Sequence, residues 1–270
     1  MTGTPTGARA TPRLVFGSSV TPGDRVLPEE VAVALSFNGT TQAVMMATPA
    51  DLEDFGVGFA LTEGIAGPED ILSVEVEELA RGRDVQVWLR PEAEARLKAR
   101  RRVMAGPVGC GLCGIDSIDQ ALREVPMVAP SAFAMTPSQV LAAVAALPGE
   151  QRLHDATRAV HGAAFWNGRV LLAREDVGRH NALDKLVGGM VRQGIGPEGA
   201  VVLTSRVSTD MVQKVAMLGA PVILAVSAPT VAAVELAERA GITLVALAKG
   251  DRFEVFSHTD RLKMEQAHVG

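Results

Sequence analysis

Apolar runs separated by turn residues fill the first part of the chain, a pattern that predicts β-hairpins. Residues 31–37 and 42–47 are apolar runs joined by Asn38-Gly39, a strong turn signal. Two further strands are predicted at 71–79 and 84–90, the second with regular alternation of apolar and polar positions. We therefore expect an antiparallel sheet in this region.

Helix signals surround these strands. Thr48 as a cap and Pro49 at the first helical position predict a helix start. The glycines at positions 56 and 58 indicate close packing of this helix on the sheet. Pro91 opens another helix, whose end carries Arg96, Lys98, Arg100, Arg101 and Arg102. This basic cluster is explained either by the helix dipole at a solvated end or by a role beside a reactive thiol or an acidic ligand.

The last third alternates continuous apolar strands with amphipathic helices. Strands are predicted at 200–204, 221–226, 242–247 and 253–256, and helices at 209–218 and 229–240. Upstream, Asn167-Gly168 predicts a hairpin. Helices are predicted at 115–124 and 150–158, and two more are predicted to begin at the Thr136/Gln139 capping box and at Asp176. Continuous apolar strands separated by helices predict parallel pairing. The predicted class is α/β, with an α+β N-terminal half and a largely parallel central sheet in the C-terminal half.

These elements suggest a division of the chain into four parts. Residues 1–12 are expected to be a disordered tail, because their Thr, Pro, Gly and Ala composition buries little. An N-terminal domain is predicted over 13–104 and a C-terminal domain over 136–270. Residues 105–135 would form a mobile loop and a connector between the two domains.

Composition narrows the possible functions. The 270 residues are 47% hydrophobic, and the net charge of -5 argues against binding nucleic acid through a basic face. No run approaches the roughly 20 apolar residues that span a bilayer. We therefore expect a cytoplasmic protein without nucleic-acid or membrane partners, whose thiols stay reduced.

The two cysteines of the chain, Cys110 and Cys113, form a C-x-x-C motif. Glycines at 106, 109, 111 and 114 surround them and favour an accessible loop over a buried core position. Accessible thiolates are reactive, and two thiols at this spacing can exchange a group between them. The motif thus indicates sulfur or redox chemistry, or half of a metal site.

Other C-x-x-C proteins provide a comparison for this motif. A zinc deaminase requires H-x-E followed by P-C-x-x-C, yet none of the five histidines has Glu two positions later and Gly109 precedes Cys110. A thioredoxin-like motif would stand early in the fold, at a strand-to-helix junction. A thiol that carries sulfur fits better, because it needs accessibility and a mobile loop. A structural Cys2His2 zinc site stays open, although the histidines lack ligand spacing.

A second dense stretch of functional residue types runs from Glu175 to Lys185. A helix capped by Asp176 would place His180 and Asp184 one turn apart on one face. That pair alone is compatible with a simple surface bond. Because Arg179, Asn181 and Lys185 share these first turns, and helix N-termini favour anions, the stretch predicts a phosphate-bearing ligand.

The two stretches, Cys110 to Gly114 and Glu175 to Lys185, together resemble the FdhD/NarQ family of sulfur carriers required for formate dehydrogenase. The resemblance runs from about Val15 to the end of the chain. It implies a sulfurtransferase that moves sulfur from a cysteine desulfurase to the molybdenum bis(molybdopterin guanine dinucleotide) cofactor. This cofactor would be cargo on its way to the formate dehydrogenase catalytic subunit, with no permanently bound metal. The resemblance also implies a cytidine-deaminase-like C-terminal fold and a homodimer.

Site residues follow from the same resemblance. Cys110 matches the cysteine that forms the persulfide, and Cys113 is its partner. The cofactor-binding segment corresponds to Phe256, Ser257, His258, Thr259, Asp260 and Arg261. By their own chemistry, Arg179, His180 and Arg206 are assigned to the same pocket, where arginines would neutralise pyrophosphate. Two alternatives stay open: a non-catalytic cofactor chaperone, for which the cysteines are dispensable, and a redox switch that forms a Cys110–Cys113 disulfide.

Overall fold

The computed structural model describes residues 4–104 and 124–263, with no description of the side chains of residues 99–104. Twelve strands lie in these residues: β1 Ala8–Phe16, β2 Val20–Pro28, β3 Val31–Phe37, β4 Thr40–Ala47, β5 Ile71–Leu79, β6 Gly82–Leu89, β7 His161–Trp166, β8 Val170–Asp176, β9 Ala200–Leu203, β10 Val222–Ala225, β11 Thr243–Lys249 and β12 Arg252–Ser257. The described helices are α1 Leu52–Thr62, α2 Pro91–Met104, α3 Pro137–Glu150, α4 Arg152–Thr157, α5 Arg179–Arg192, α6 Thr209–Leu218 and α7 Val231–Ala240.

The N-terminal half is built on a four-stranded sheet with the strand order β4-β3-β6-β5. β3 and β6 pair in parallel, and the outer pairs are antiparallel. The predicted hairpin is confirmed, because Asn38 and Gly39 take the positive φ values of 47° and 76° that its turn needs. One face of the sheet packs on α1 and α2, with Phe37, Phe55 and Leu97 in its core.

The C-terminal half is built on a six-stranded sheet with the order β12-β11-β10-β9-β7-β8. Its middle strands β9, β10 and β11 are parallel, whereas β12, β7 and β8 join antiparallel. The predicted α/β class is confirmed, and parallel pairing is limited to the middle of the sheet. Helices α5, α6 and α7 share one core with the sheet, and α3 covers the opposite face.

The two halves meet where α1 crosses α5. A Cβ atom added at Gly58 would lie 1.7 Å from the backbone oxygen of Asp184, and one added at Gly188 would lie 1.9 Å from that of Asp54. The two helix backbones are thus in direct contact. Gly56 faces Val85 of the four-stranded sheet, as predicted, whereas Gly58 packs on α5 instead of the sheet.

Two local predictions need correction. The expected tail over residues 1–12 is wrong from residue 8 on, because β1 pairs with β2 from Ala8↔Pro28 to Phe16↔Val20. Backbone bonds between the strands stabilise this ribbon without burying its small side chains. The helix predicted at Thr48 begins at Leu52 instead, after Asp51 in a left-handed conformation. Thr48 makes contacts with the other half of the protein, described below.

Within residues 4–104 and 124–263, no helix combines the length and the apolar character that crossing a membrane requires.

Candidate functional site

The predicted reactive residues Cys110 and Cys113 lie outside the described residues, as does most of the helix predicted at 115–124. The site is therefore built from the chain that follows them. Two names describe its position. The amino edge is the side of the six-stranded sheet where β9, β10 and β11 begin, and the carboxyl edge is the side where they end.

The connector after the cysteines runs along the amino edge. The amide of Val128 donates to the carbonyl oxygen of Ala240, at the end of α7, over 2.8 Å. Further along, the Met135 amide donates to the Arg261 oxygen, and the Lys263 amide donates to the Met135 oxygen, both at 2.9 Å. Residues 128–135 are thus fixed to α7 and to the end of the described chain.

The predicted cofactor segment, Phe256 to Arg261, lies at the same edge. The Ser257 hydroxyl donates to the Ile242 oxygen and accepts from the Leu244 amide, which fixes the end of β12 beside the start of β11. His258 has a φ of 47°, and its Nε2 donates to the Glu238 oxygen in the last turn of α7 over 2.8 Å. Arg261 Nη1 donates to the Thr243 hydroxyl over 3.2 Å.

The remaining residues of this segment differ in how accessible they are to a ligand. Thr259 and Asp260 are exposed and belong to a short 3-10 turn, and Phe256 is half-buried against the sheet core. Because the connector and this segment both bind the last turn of α7, the structure brings them together. The chain that returns from the cysteines therefore lies beside the predicted cofactor segment.

Arg179, His180 and Arg206 lie at the opposite, carboxyl edge. α5 begins at Arg179 after β8, and Arg206 is exposed in the loop after β9. The parallel strands β9 and β10 are four residues long, so the two edges are about 13 Å apart. Within one chain, these three residues do not form one pocket with residues 256–261.

The carboxyl edge has unusual histidines. Nε2 of His180 is enclosed without a hydrogen-bond partner, since Asp210 Oδ2 is 3.6 Å away. Burial, followed by the positive charge of Arg179, lowers the pKa of His180 and also that of His161. Both imidazoles are therefore neutral at pH 7. A neutral imidazole adds no positive charge for a phosphate.

Asp176 acts differently from the predicted helix cap. α5 has Gly178 as its N-cap, and the fully buried Asp176 ends β8. Its Oδ2 accepts from the Thr48 amide over 3.0 Å and from Lys185 Nζ over 2.5 Å. Its Oδ1 accepts from the Gly178 amide and from Asn181 Nδ2. Asn181 and Lys185 are thus engaged with a buried carboxylate, and the sequence prediction that they face a phosphate is wrong.

This network joins the two halves of the protein. Lys185 Nζ also donates to the Thr48 oxygen over 2.8 Å, and the Thr48 hydroxyl accepts from the Val177 amide over 3.1 Å. Thr48 therefore forms hydrogen bonds with backbone and side-chain groups of the opposite half instead of capping α1. Most of the motif around Asp176 holds the segment between β4 and α1.

A second buried network replaces the predicted pairing of His180 with Asp184. Asp184 accepts from the Thr62 hydroxyl of α1 over 2.6 Å and from Lys214 of α6 over 2.9 Å. Lys214 also donates to Glu63 over 2.7 Å. Burial alone would lower the pKa of Lys214, but the carboxylates of Asp184 and Glu63 outweigh it, so this pKa is raised. The lysine stays charged.

A third network lies at the other end of α1. Asp54 is buried and accepts from Arg174 Nη2 over 2.6 Å and from Arg192 Nη1 over 2.5 Å. None of these three networks is predicted by the local sequence pattern. One signal was present: Lys185 and Lys214 stand at positions where the helical period demands buried side chains, next to Leu186 and Val215.

Comparison with known proteins decides the family. The chain matches the sequence model of the FdhD/NarQ family over residues 28–263. The chain belongs to the FdhD/NarQ family. Its FdhD/NarQ relatives include the sulfur carrier protein FdhD of Agrobacterium fabrum, 56% identical over 89% of this chain and 90% of the relative. The protein of that name in Brucella abortus is 51% identical over 88% of this chain and 90% of the relative.

A solved structure supports the FdhD/NarQ fold. The crystal structure of a putative formate dehydrogenase accessory protein from Desulfotalea psychrophila matches with a TM-score of 0.76 and 26% identity. The match covers 95% of this chain and 99% of that one. No group of three or more His, Cys, Asp and Glu side chains is placed to bind a metal in the described part of this FdhD/NarQ chain.

Proposed function

We propose that this chain is a sulfur carrier in the maturation of formate dehydrogenase. One observation carries the proposal: in a chain 56% identical to a protein named sulfur carrier FdhD, the connector behind the cysteines meets the segment 256–261. A carrier needs its reactive thiols and its cargo close together. The two cysteines form the C-x-x-C motif that this chemistry requires.

The loading step is a thiol exchange at sulfur. The Cys110 thiolate attacks the terminal sulfur of the persulfide on a cysteine desulfurase. A new sulfur–sulfur bond forms on Cys110 while the old one breaks, and the desulfurase cysteine leaves as a thiolate. The step needs no external oxidant or reductant, because one persulfide replaces another.

Delivery passes this sulfur to the molybdenum cofactor held as cargo. Transfer of a persulfide sulfur as sulfide needs two electrons. Attack of the Cys113 thiolate on Cys110 supplies them, because sulfide leaves as the two cysteines form a disulfide. A cellular dithiol then reduces the pair for the next cycle. The sulfurated cargo proceeds to the formate dehydrogenase catalytic subunit.

The amino edge is the proposed position of the guanine dinucleotide. The last turn of α7 points its carbonyl groups to this edge, which disfavours an anion there. Positive charge must therefore come from side chains, and Arg261 and the exposed Arg239 and Lys263 supply it. The pyrophosphate of the cargo would lie against Arg261, with Thr259 and His258 beside it.

Two readouts test the function and the site together. Formate dehydrogenase activity is measured in cells that lack their own carrier, and GDP binding is measured by calorimetry on the purified protein. Cys110→Ala should abolish the activity and leave the GDP affinity within about 2-fold. Arg261→Ala should weaken GDP binding about 10-fold, as expected for one charged hydrogen bond.

Arg206→Ala is the matched control, because Arg206 is an exposed arginine at the carboxyl edge. It should leave GDP binding unchanged. A loss of GDP binding with Arg206→Ala but not with Arg261→Ala would instead place the cargo at the carboxyl edge. Full activity of Cys110→Ala would contradict the carrier function and favour a cofactor chaperone.

A further inference from the structure

Thr243 is a fully buried polar residue at the amino edge, where β11 begins. The neighbouring strand β10 begins with Val222, which pairs with Thr243, and β9 begins with Ala200 in the same register. The three residues that follow Thr243, at 244–246, are apolar and fully buried. A hydroxyl group in such a position costs stability unless it forms hydrogen bonds. Because valine has nearly the same shape, the hydroxyl of Thr243 needs an explanation of its own.

The Thr243 hydroxyl forms two hydrogen bonds, and both join it to the segment Phe256 to Arg261. It donates to the carbonyl oxygen of His258 over 2.8 Å. It accepts from Nη1 of Arg261 over 3.2 Å. A hydroxyl has one hydrogen and two lone pairs, so both bonds can exist at once. One buried side chain thus connects the backbone of this segment to its guanidinium group.

The bond to His258 fixes the turn that carries Arg261. His258 has a φ of 47°, a left-handed conformation that residues other than glycine seldom adopt. Its ring is held by the Glu238 oxygen of α7, and its carbonyl group is held by Thr243 of β11. The 3-10 turn Thr259–Arg261 begins directly after it. The position of the Arg261 backbone therefore depends on contacts with both α7 and β11.

The bond to Arg261 orients the guanidinium group and leaves most of its donors available. A guanidinium has five N–H groups. Among the described residues, the Thr243 hydroxyl is the only hydrogen-bond acceptor of this side chain. Because a threonine hydroxyl carries no charge, it holds the guanidinium without neutralising it. The positive charge of Arg261 is therefore available to an anionic ligand.

We propose that Thr243 is a positioning residue, whose hydroxyl holds the Arg261 guanidinium in the orientation that meets the pyrophosphate of the cargo. This inference rests on the proposed function, which places the pyrophosphate against Arg261. A free arginine side chain loses conformational freedom when it binds a ligand, and this loss weakens binding. Thr243 restricts the side chain before the ligand binds, so less freedom is lost on binding. Since Thr243 is fully buried, it acts through Arg261 and not by direct contact.

Calorimetry with GDP on the purified full chain tests this role. Thr243→Val removes the hydroxyl and keeps the shape, and it should weaken GDP binding about 5-fold, within the range expected for ordering one long side chain. Thr243→Ser keeps the hydroxyl and its bonds, so it should bind GDP within about 2-fold of the unchanged protein. If the buried methyl group mattered instead, the order would be reversed, because Thr243→Ser loses that group. The reversed order would overturn the proposal.

A double-mutant cycle shows whether Thr243 acts through Arg261. Arg261→Ala alone should weaken GDP binding about 10-fold. Adding Thr243→Val to Arg261→Ala should cause no further loss, because the group that the hydroxyl positions is then absent. An effect of Thr243→Val in this background as large as in the unchanged protein would mean that Thr243 acts by another route, and the proposal would be wrong.

Thr204→Val is the matched control for loss of a threonine hydroxyl. Thr204 lies at the carboxyl edge, and its hydroxyl accepts from the Gly162 amide over 2.9 Å and donates to the Gly162 oxygen over 3.3 Å. Thr204→Val should lower the free energy of unfolding in urea about as much as Thr243→Val does, and it should leave the GDP affinity unchanged. Equal losses of GDP binding in the two variants would show an effect of stability alone and would overturn the positioning role.

These outcomes separate the inference from the proposed function. Weaker GDP binding in Arg261→Ala, together with unchanged binding in Thr243→Val, overturns the role of Thr243 and leaves the proposed cargo position standing. Unchanged GDP binding in Arg261→Ala overturns both. Full formate dehydrogenase activity of Cys110→Ala would contradict the carrier function without altering any of these binding results.

Discussion

Single buried carboxylates connect the two halves of this protein. Asp54, Asp176 and Asp184 each bind a buried or half-buried cation. Each also accepts a hydrogen bond from the opposite half, donated by Arg174, the Thr48 amide and the Thr62 hydroxyl respectively. A carboxylate withdrawn from water is stable only when its charge is matched and its oxygens accept hydrogen bonds. These residues therefore fix how the two halves are oriented, and with them the ends of the connector.

Asp176→Asn tests this role directly. The substitution keeps the shape but leaves the ammonium group of Lys185 buried without a counterion. We expect the free energy of unfolding in urea to fall by about 3 kcal/mol. Asp210→Asn is the matched control at an exposed position, and it should change stability by less than about 0.5 kcal/mol. Equal effects of the two substitutions would contradict the role of the buried network.

Histidines give a pH dependence of stability. Burial lowers the pKa of His161 and His180 below the 6.5 of a free imidazole, so the unfolded chain takes up protons first as the pH falls. The free energy of unfolding should therefore decrease when the pH drops from 7.5 through 6.5 toward 6. His161→Gln combined with His180→Gln should flatten this dependence in urea melts at each pH. An unchanged slope would exclude these histidines as its cause.

At the scale of elements, the contact of α1 with α5 depends on two glycines. Gly58→Ala would put a methyl group into the backbone of Asp184, which cannot move without separating the helices. We expect destabilisation of at least about 2 kcal/mol in urea unfolding.

Gly149→Ala is the control for the glycine substitution. Gly149 also lies in a helix, α3, but a Cβ atom there meets nothing within 4 Å. This variant should be neutral or more stable by up to about 1 kcal/mol, because alanine favours helix. Similar losses in both variants would mean that the close crossing of α1 and α5 does not determine the effect.

Local signals explain which elements were predictable. The Asn38-Gly39 turn and the Thr136/Gln139 capping box act within a few residues, and the structure confirms both. Thr48 has the same local signal as a helix cap, but its partners Val177 and Lys185 lie more than 120 residues away. The competing long-range bonds were invisible in the local sequence. For the same reason, the local sequence predicts that Asn181 and Lys185 bind a phosphate.

The ribbon shows a different limit of prediction. Residues 1–12, which include the start of its first strand, are rich in Thr, Pro, Gly and Ala, so their composition indicates disorder. The partner strand supplies the backbone hydrogen bonds that order the first strand. Leu14, Phe16 and Val20 of the ribbon are exposed, which hydrophobic patterning alone does not anticipate.

At the scale of the whole molecule, the sheet in the C-terminal half separates two candidate ligand positions. Ligands of parallel sheets usually bind at the carboxyl edge, where Arg179, His180 and Arg206 lie. The connector from the cysteines instead meets Phe256 to Arg261 at the amino edge. Sequence motifs identified both sets of residues, but only the order and direction of the strands show that the two sets lie at opposite edges of the sheet.

Sulfur loading on Cys110 can be measured by intact-protein mass spectrometry. The purified protein, Cys110→Ala and Cys113→Ala are each incubated with an active cysteine desulfurase and cysteine. We expect a mass gain of one sulfur atom on the unchanged chain and on Cys113→Ala, reversed by reductant and absent in Cys110→Ala. No gain on the unchanged chain, or an equal gain on Cys110→Ala, would contradict it.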